Sequence, residues 1–383
     1  MIAVALTAAL LCPPVMSVHA DEDTMQTAQT IESEHACVYD IDTKQLLLDK
    51  GSDEKMYPAS LTKIMTTMVV LDQNPDLSST VTIDDTMLAG LYEANASVVG
   101  WQVGDVVTVE DLLYGTMLPS GADAVNALAY TFGGSIDGFV EMMNKKAQTY
   151  GMESTHFANP TGLHDDDHYS TCKDIVKLLE HALQNETFLK IFGTKTYTDS
   201  TGKTMEATIM PYITAEDIPL PGFIGDKTGY TEESGHSMAS YSEINGMRLI
   251  VVTNRAMTGM YVPTHLYDAG TILTWLKDNY TRTTVIQAGT QLDTFTAEEP
   301  VGSKEVKVNA ESSLDLDVRT GSGITFRTNI PDTVPVTNKK QVKTATVSIL
   351  SDNEEIAVTN TNYTIPSSDD IFNRFLIFLR DLF

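Results

Sequence analysis

Basic residues are scarce in this 383-residue chain: 25 Lys and Arg stand against 52 Asp and Glu, a formal charge of −27. A field of that sign repels phosphate backbones, so nucleic acid is excluded as a partner. The acidity is read as the solubilising surface of an exported protein. Cysteine is scarcer still, with three in the chain, which excludes a disulfide scaffold. Cys12 lies near the N-terminus, while Cys37 in an expected strand and Cys172 at an expected helix start are read as packed core residues. No apolar run reaches the ~20 residues that a spanning helix needs. Ile2 to Leu11 is apolar but too short, and no Lys or Arg precedes it. Val18-His19-Ala20 and the polar Asp21-Glu22-Asp23 that follow give residues 1–20 the outline of an export signal.

What is present describes a globular protein, 42% hydrophobic and 20% charged, long enough for two domains. Residues 21–33 are polar and read as a flexible leader. Ala36 to Asp40 and Gln45 to Leu48 flank an Asp42-Thr43-Lys44 turn as a hairpin. Helical patterns follow over Ser60–Leu71, Val109–Leu118, Gly121–Phe132, Ile136–Tyr150 and Asp174–Leu183. Strands are expected at Gly222–Thr228, Ser237–Ser242 and Met247–Thr253, and a helix from Val262 to Tyr280. The simplest architecture for 34–282 is an α+β domain, a mixed sheet with a helical block. Short alternating segments from 283 to 365 predict a small all-β domain serving as a spacer. The terminal stretch, 366–383, ends in an amphipathic helix over Ile371–Phe383. Asn373, Arg374, Ile377, Arg380 and Asp381 share one face, and Phe and Leu fill the rest. At about 20 Å it is too short to span, and it is expected to lie on a membrane surface; docking on the β domain is the alternative.

Ser-x-x-Lys sets a hydroxyl and an amine one helical turn apart. The chain has this spacing at Ser52/Lys55, Ser60/Lys63, Ser170/Lys173 and Ser200/Lys203. Only Ser60/Lys63 opens a strongly apolar helix, where lost solvation lowers an amine's pKa into the range of a general base. Ser60, at that helix's N-terminus, also has backbone N–H groups nearby for an oxyanion. Pro119-Ser120-Gly121 breaks two helices and presents Ser120 on a loop edge. Lys227-Thr228-Gly229 follows Asp226 on an expected strand. His164-Asp165-Asp166-Asp167-His168 is read as a solvated loop rather than a metal site, because consecutive side chains point apart. Trp101 and Trp275 are expected as buried anchors.

Taken in order, Pro58-Ala59-Ser60-Leu61-Thr62-Lys63, Ser120-Gly121 and Lys227-Thr228-Gly229 resemble the three signature motifs of low-molecular-mass penicillin-binding proteins, the serine-type D-alanyl-D-alanine carboxypeptidases. His156 to Leu163 and His168 to Thr171 resemble a further segment of that family, and the likeness covers roughly Glu34 to Tyr280. The resemblance implies a β-lactamase/transpeptidase-like fold, no cofactor, and removal of the terminal D-alanine from peptidoglycan stem pentapeptides at the outer face of the cytoplasmic membrane. β-Lactams are the implied covalent inhibitors. Ser60 would be the nucleophile, Lys63 its base and Ser120 a proton relay. Lys227 and Thr228 would hold the substrate carboxylate, Gly229 would allow close approach, and the N–H of Tyr230 would join that of Ser60 in the oxyanion hole. Two departures stand out. Ala122 occupies the place of the usual Asn of the second motif, with Asn126 a turn further on as candidate substitute. No Arg lies between Tyr197 and Asp226, where many relatives have a second carboxylate contact. A β-lactamase of related fold and a catalytically silent wall-binding homologue are the alternatives.

Overall fold

The computed structural model describes residues 22–259 and 261–382, and the expected export signal lies outside them. The described chain divides into two compact units, one ending at Tyr280 and the other starting at Thr281.

The first unit is built on a five-stranded sheet. Its strands are β1 (His35–Asp40), β2 (Leu46–Lys50), β3 (Phe223–Thr231), β4 (Gly235–Ile244) and β5 (Met247–Ala256), in the order β2-β1-β5-β4-β3. Every pairing is antiparallel rather than mixed: β1–β2 and β3–β4–β5 are hairpin-connected, and β5 runs against β1. Alternation along β1 and β5 buries both faces. Val38 and Val251 look toward one core, shared with Ile272, Leu273 and Leu276 of α8 (Thr264–Asn279). Cys37, Ile250 and Val252 look toward the other, built on α2 (Thr62–Leu71), α3 (Val109–Met117), α4 (Ala122–Gly133), α5 (Ile136–Thr149), α6 (Cys172–Ala182) and α7 (Glu186–Gly193). All ten residues of α2 are buried, so it is the axis of the helical layer.

Residues 22–33, the described part of the 21–33 segment, are not the flexible leader that its polarity suggests. Glu22–Thr30 forms a helix, α1, and Ile31 is buried against the sheet. Asp268 of α8 then takes up the backbone N–H groups of Glu32 and Ser33 and the Ser33 hydroxyl. One buried carboxylate thus satisfies donors that a free leader would leave in water. Cys37 and Cys172 are both buried free thiols; contact with Cys172, followed by burial, pushes the Cys37 thiol up. Trp101 is buried with its indole N–H on Asp199, whereas Trp275 is half-buried.

The second unit is all-β apart from its last helix. Its strands are β6 (Tyr280–Ile286, whose first residue belongs to the first unit), β7 (Gln291–Glu298), β8 (Ser303–Asn309), β9 (Leu314–Arg319), β10 (Ile324–Thr328), β11 (Thr333–Pro335), β12 (Gln341–Ser351) and β13 (Glu354–Ile365). They form the sheets β6-β9, β8-β7-β11 and β10-β12-β13. The terminal helix α9 (Ile371–Arg380) docks by its polar seam. The Asn373 amide donates to Glu299 and to the Val301 carbonyl and accepts from the Val301 N–H, while Ile377 is fully buried. Phe372, Phe375 and Phe378 are exposed. No helix among the described residues is long and apolar enough to cross a membrane.

Candidate active site

Of the four Ser-x-x-Lys pairs, only Ser60/Lys63 meets. Lys63 Nζ lies 2.8 Å from Ser60 Oγ. Lys55 instead donates to the Asp166 carbonyl, Lys173 is paired with Asp49 and Asp53, and Lys203 donates to the Gly100 carbonyl. The reason is burial. Polar surroundings offer an amine better partners than a serine, whereas Lys63, 2% exposed, has one other acceptor, the Thr161 carbonyl at 2.5 Å. Burial first and the Lys227 charge second hold Lys63 well below the usual lysine value; Asp123 opposes them. An amine in that state has a lone pair for the serine proton.

Ser60 sits in a single 3-10 turn, Ala59–Leu61, that runs into α2. Ala59 is held at φ +45°, a left-handed conformation rare for a residue with a Cβ. Two glycines let other backbone close on this turn. A Cβ on Gly162 would come 2.0 Å from the Ala59 carbonyl oxygen, and one on Gly229 would come 2.9 Å from the Ser60 nitrogen. β3 thereby lies directly against the turn that carries the nucleophile, and it is one of the sheet's two edge strands. An edge strand leaves alternate backbone groups pointing outward for an extended ligand.

The loop that offers Thr161 to Lys63 is tied by residues with no catalytic role of their own. Asn159 Oδ1 accepts from the backbone N–H of Thr161 and Gly162 and from the Thr161 hydroxyl, and its amide donates to Leu163 O. Thr66 of α2 donates to the Pro160 carbonyl. His168, expected in a solvated loop, is 2% exposed. Its Nδ1 accepts from the Ala158 N–H at 3.0 Å, so the ring proton is on Nε2, donated to Thr62 Oγ1 at 2.7 Å. Burial pushes this imidazole down to about 4, against the pull of Asp165, so it stays neutral.

Ser60, Ser120, Thr228, Gly229 and Tyr230 line one open cleft of 730 Å³. Ser120 stands at φ +61°, and its buried hydroxyl has no partner among the described residues, Lys63 included. Behind it, the Asp123 carboxylate receives the N–H groups of Val99, Gly100 and Ala124 and fixes the 97–100 loop to α4. Asn126 does not substitute for the missing amide, because its side chain is committed to the Met87 carbonyl. Lys227 is fully buried beneath the cleft and donates to the Thr228 carbonyl. Burial pushes it down to about 8, while Asp226 holds it up; Asp226 itself is pushed up to about 6 by burial. Thr228 Oγ1 meets Thr208 Oγ1 at 2.6 Å, which adds Thr208 to the cleft wall. Two imidazoles that the motif pattern did not reveal, His236 and His265, line the same cleft.

Residues 22–258 match the sequence profile of the D-alanyl-D-alanine carboxypeptidase family. Among curated relatives, D-alanyl-D-alanine carboxypeptidase DacF of Bacillus subtilis is 32% identical over 246 residues, 63% of this chain and 62% of that protein's own length. The D-alanyl-D-alanine carboxypeptidase of Streptomyces sp. K15 is 32% identical over 281 residues, covering 70% of this chain and 94% of the relative. Among solved structures, the K15 DD-transpeptidase superposes with a TM-score of 0.58 over 64% of this chain and 97% of that one, at 32% identity. Penicillin binding protein 5 of Haemophilus influenzae superposes with a TM-score of 0.67 over 88% of this chain and 98% of that one, at 25% identity.

Proposed function

The chain belongs to the D-alanyl-D-alanine carboxypeptidase family, serine peptidases by type, and on that premise we propose that Ser60 removes the terminal D-alanine of peptidoglycan stem peptides through an acyl-enzyme. The observation that carries this reading is the 2.8 Å approach of a buried, depressed amine, Lys63, to the Ser60 hydroxyl. Lys63 takes the Ser60 proton as Oγ attacks the carbonyl of the penultimate D-alanine, and the Thr161 carbonyl keeps the amine aimed. The backbone N–H groups of Ser60 and Tyr230 receive the developing oxyanion. Ser120 Oγ, buried and unpartnered, gains its partners when substrate fills the cleft and passes a proton to the leaving D-alanine amine. Lys227 supplies positive charge under the substrate's terminal carboxylate, and Thr228 supplies a hydroxyl at its edge. Water then releases the shortened peptide. A β-lactam presents the same carbonyl in a ring, so its opened form stays attached to Ser60.

The protein is proposed to act after export, at the outer face of the cytoplasmic membrane. The 1–20 segment supports export, and the exposed Phe row of α9 supports attachment to the lipid surface. The all-β unit is read as a spacer.

The enzymatic reading is tested by intact mass after exposure to benzylpenicillin, together with release of D-alanine from a D-Ala-D-Ala-terminated peptide. The expected adduct maps to Ser60 and is lost with the peptidase activity in Ser60→Ala. An unmodified wild-type protein that releases no D-alanine sinks the proposal.

A further inference from the structure

Resting on that reading, the substrate's terminal carboxylate brings two oxygens to a cleft where Lys227 lies buried beneath the wall and is turned onto a backbone carbonyl. Among the described residues, no arginine lines the cleft. Its remaining nitrogen-bearing side chains include three imidazoles with different surroundings. His164 faces the carboxylates of Asp166 and Glu233, at 3.6 and 3.8 Å, which repel an incoming anion. His236 of β4 and His265 of α8 face no carboxylate in ion-pair range among the described residues. They stack on each other with ring centres 5.0 Å apart and planes 18° from parallel.

The stack has a defined proton pattern. His236 Nε2 lies 3.1 Å from the Gly259 carbonyl, which only accepts, so its proton is on Nε2. His236 also meets the Tyr230 ring, which follows Gly229, with ring centres 4.8 Å apart and the planes tilted by 46°. His265 Nδ1 is fully buried and has no partner among the described residues. A ring proton there would be a buried orphan donor, so it is better placed on Nε2, toward the cleft that the ring lines. Burial, with the neighbouring His236 and Lys227, pushes His265 down to about 3, and burial lowers His236 as well. The ring is therefore a neutral donor throughout the working range. Asp268, one turn along α8, is saturated by Glu32 and Ser33, and the other carboxylates at this end of the cleft, Glu232 and Glu233, belong to the β3–β4 turn.

We propose that His265, held in one tautomer and orientation by its stack on His236, is a substrate-binding residue that donates its Nε2–H to the terminal carboxylate beside Lys227. A neutral imidazole adds direction to a contact in which the buried lysine supplies charge, and it selects a free carboxylate over an amide or ester at the same end.

The test compares peptides ending in D-Ala-D-Ala as free acid and as C-terminal amide. His265→Phe keeps the ring stack and removes the donor; it is expected to raise KM for the acid on the order of tenfold, leave kcat nearer to wild type, and leave the amide unaffected. His265→Gln, which restores an N–H, is expected to recover most of the loss. An equal loss on both peptides with no rescue by Gln, or an unchanged KM for the acid, overturns the proposal. Should the Phe variant melt early, the ring N–H resonance of His265 in Ser60→Ala protein is followed as the acid peptide is added, and no shift on saturation overturns it. Wild-type protein that neither releases D-alanine nor is acylated refutes the enzymatic reading itself. Active wild type with an unaltered His265→Phe variant refutes only this contact.

Discussion

Lys63 and Lys227 are buried beside the same cleft, yet catalysis asks opposite things of them. Lys63 must be neutral to accept a proton, so the competent fraction rises as pH climbs through its lowered pKa. Lys227 must be charged to draw in a carboxylate, so binding falls as pH climbs through about 8. Acylation by a β-lactam and turnover of a D-Ala-D-Ala peptide should therefore follow a bell whose alkaline limb lies near pH 8. Because the Lys227 charge helps to depress Lys63, Lys227→Gln should move the acidic limb to higher pH as well as raise KM, which a pH series of acylation rates would display. An acidic limb that stays in place would separate the two amines. Ser60 and Lys63 stood out in the sequence because theirs is the one Ser-x-x-Lys pair of four that opens a strongly apolar helix, whereas Ser120 and the 227–229 triplet took their meaning from the order of motifs in the family they resemble. His236 and His265 are 29 residues apart on a strand and a helix, and only the packing of α8 against β4 brings them together. The strain at Ala59 was equally hidden, since an alanine has no signature for a left-handed backbone.

At the level of elements, the nucleophile's position depends on a turn and a loop braced against each other. Gly162 holds φ +83° with no room for a Cβ beside Ala59. Gly162→Ala should cost about 2 kcal/mol or more, read as a lowered melting temperature, and should slow penicillin acylation further than the stability loss explains, because the Ala59 carbonyl is the atom that must yield. Asn159→Ala removes four hydrogen bonds that aim Thr161 at Lys63. It is expected to lower the acylation rate on the order of tenfold to a hundredfold while the circular dichroism spectrum stays wild type. The long periodic elements were readable to within a few residues: the helix expected over Val109–Leu118 spans Val109–Met117, and that expected over Ile136–Tyr150 spans Ile136–Thr149. The leader failed because α1 is polar and owes its place to Asp268, more than two hundred residues away. His168 failed for a related reason: a sequence rich in Asp around it looks solvated, but one backbone turn carries the ring inward while Asp165, Asp166 and Asp167 stay out.

For the whole molecule, a formal charge of −27 and an exposed aromatic row pull in different directions at a lipid surface. α9 is anchored to its own β unit through Asn373 and Ile377, which fixes the row outward and removes the entropy cost of ordering a free tail on binding. Phe372, Phe375, Phe378 and Leu382 are each a little over half exposed, so inserting them adds about 5 kcal/mol in all, at roughly 1.5–3 kcal/mol for the full burial of each such side chain. That is comparable to a single acyl chain and supports reversible rather than permanent attachment. The net negative charge opposes it on anionic lipid, with Arg374 and Arg380 supplying the only local relief along the helix. Two consequences separate this surface from an ordinary solvated helix. Sedimentation with zwitterionic vesicles should be stronger than with anionic ones, and added salt should narrow the gap by screening the repulsion. Phe375→Ser combined with Phe378→Ser should abolish sedimentation on both, while hydrolysis of a soluble D-Ala-D-Ala peptide continues at the wild-type rate, because neither side chain belongs to the unit that carries Ser60. A doubly substituted protein that still sediments would show that the row is not the contact, and binding that strengthened with anionic lipid would place the attachment on basic residues instead.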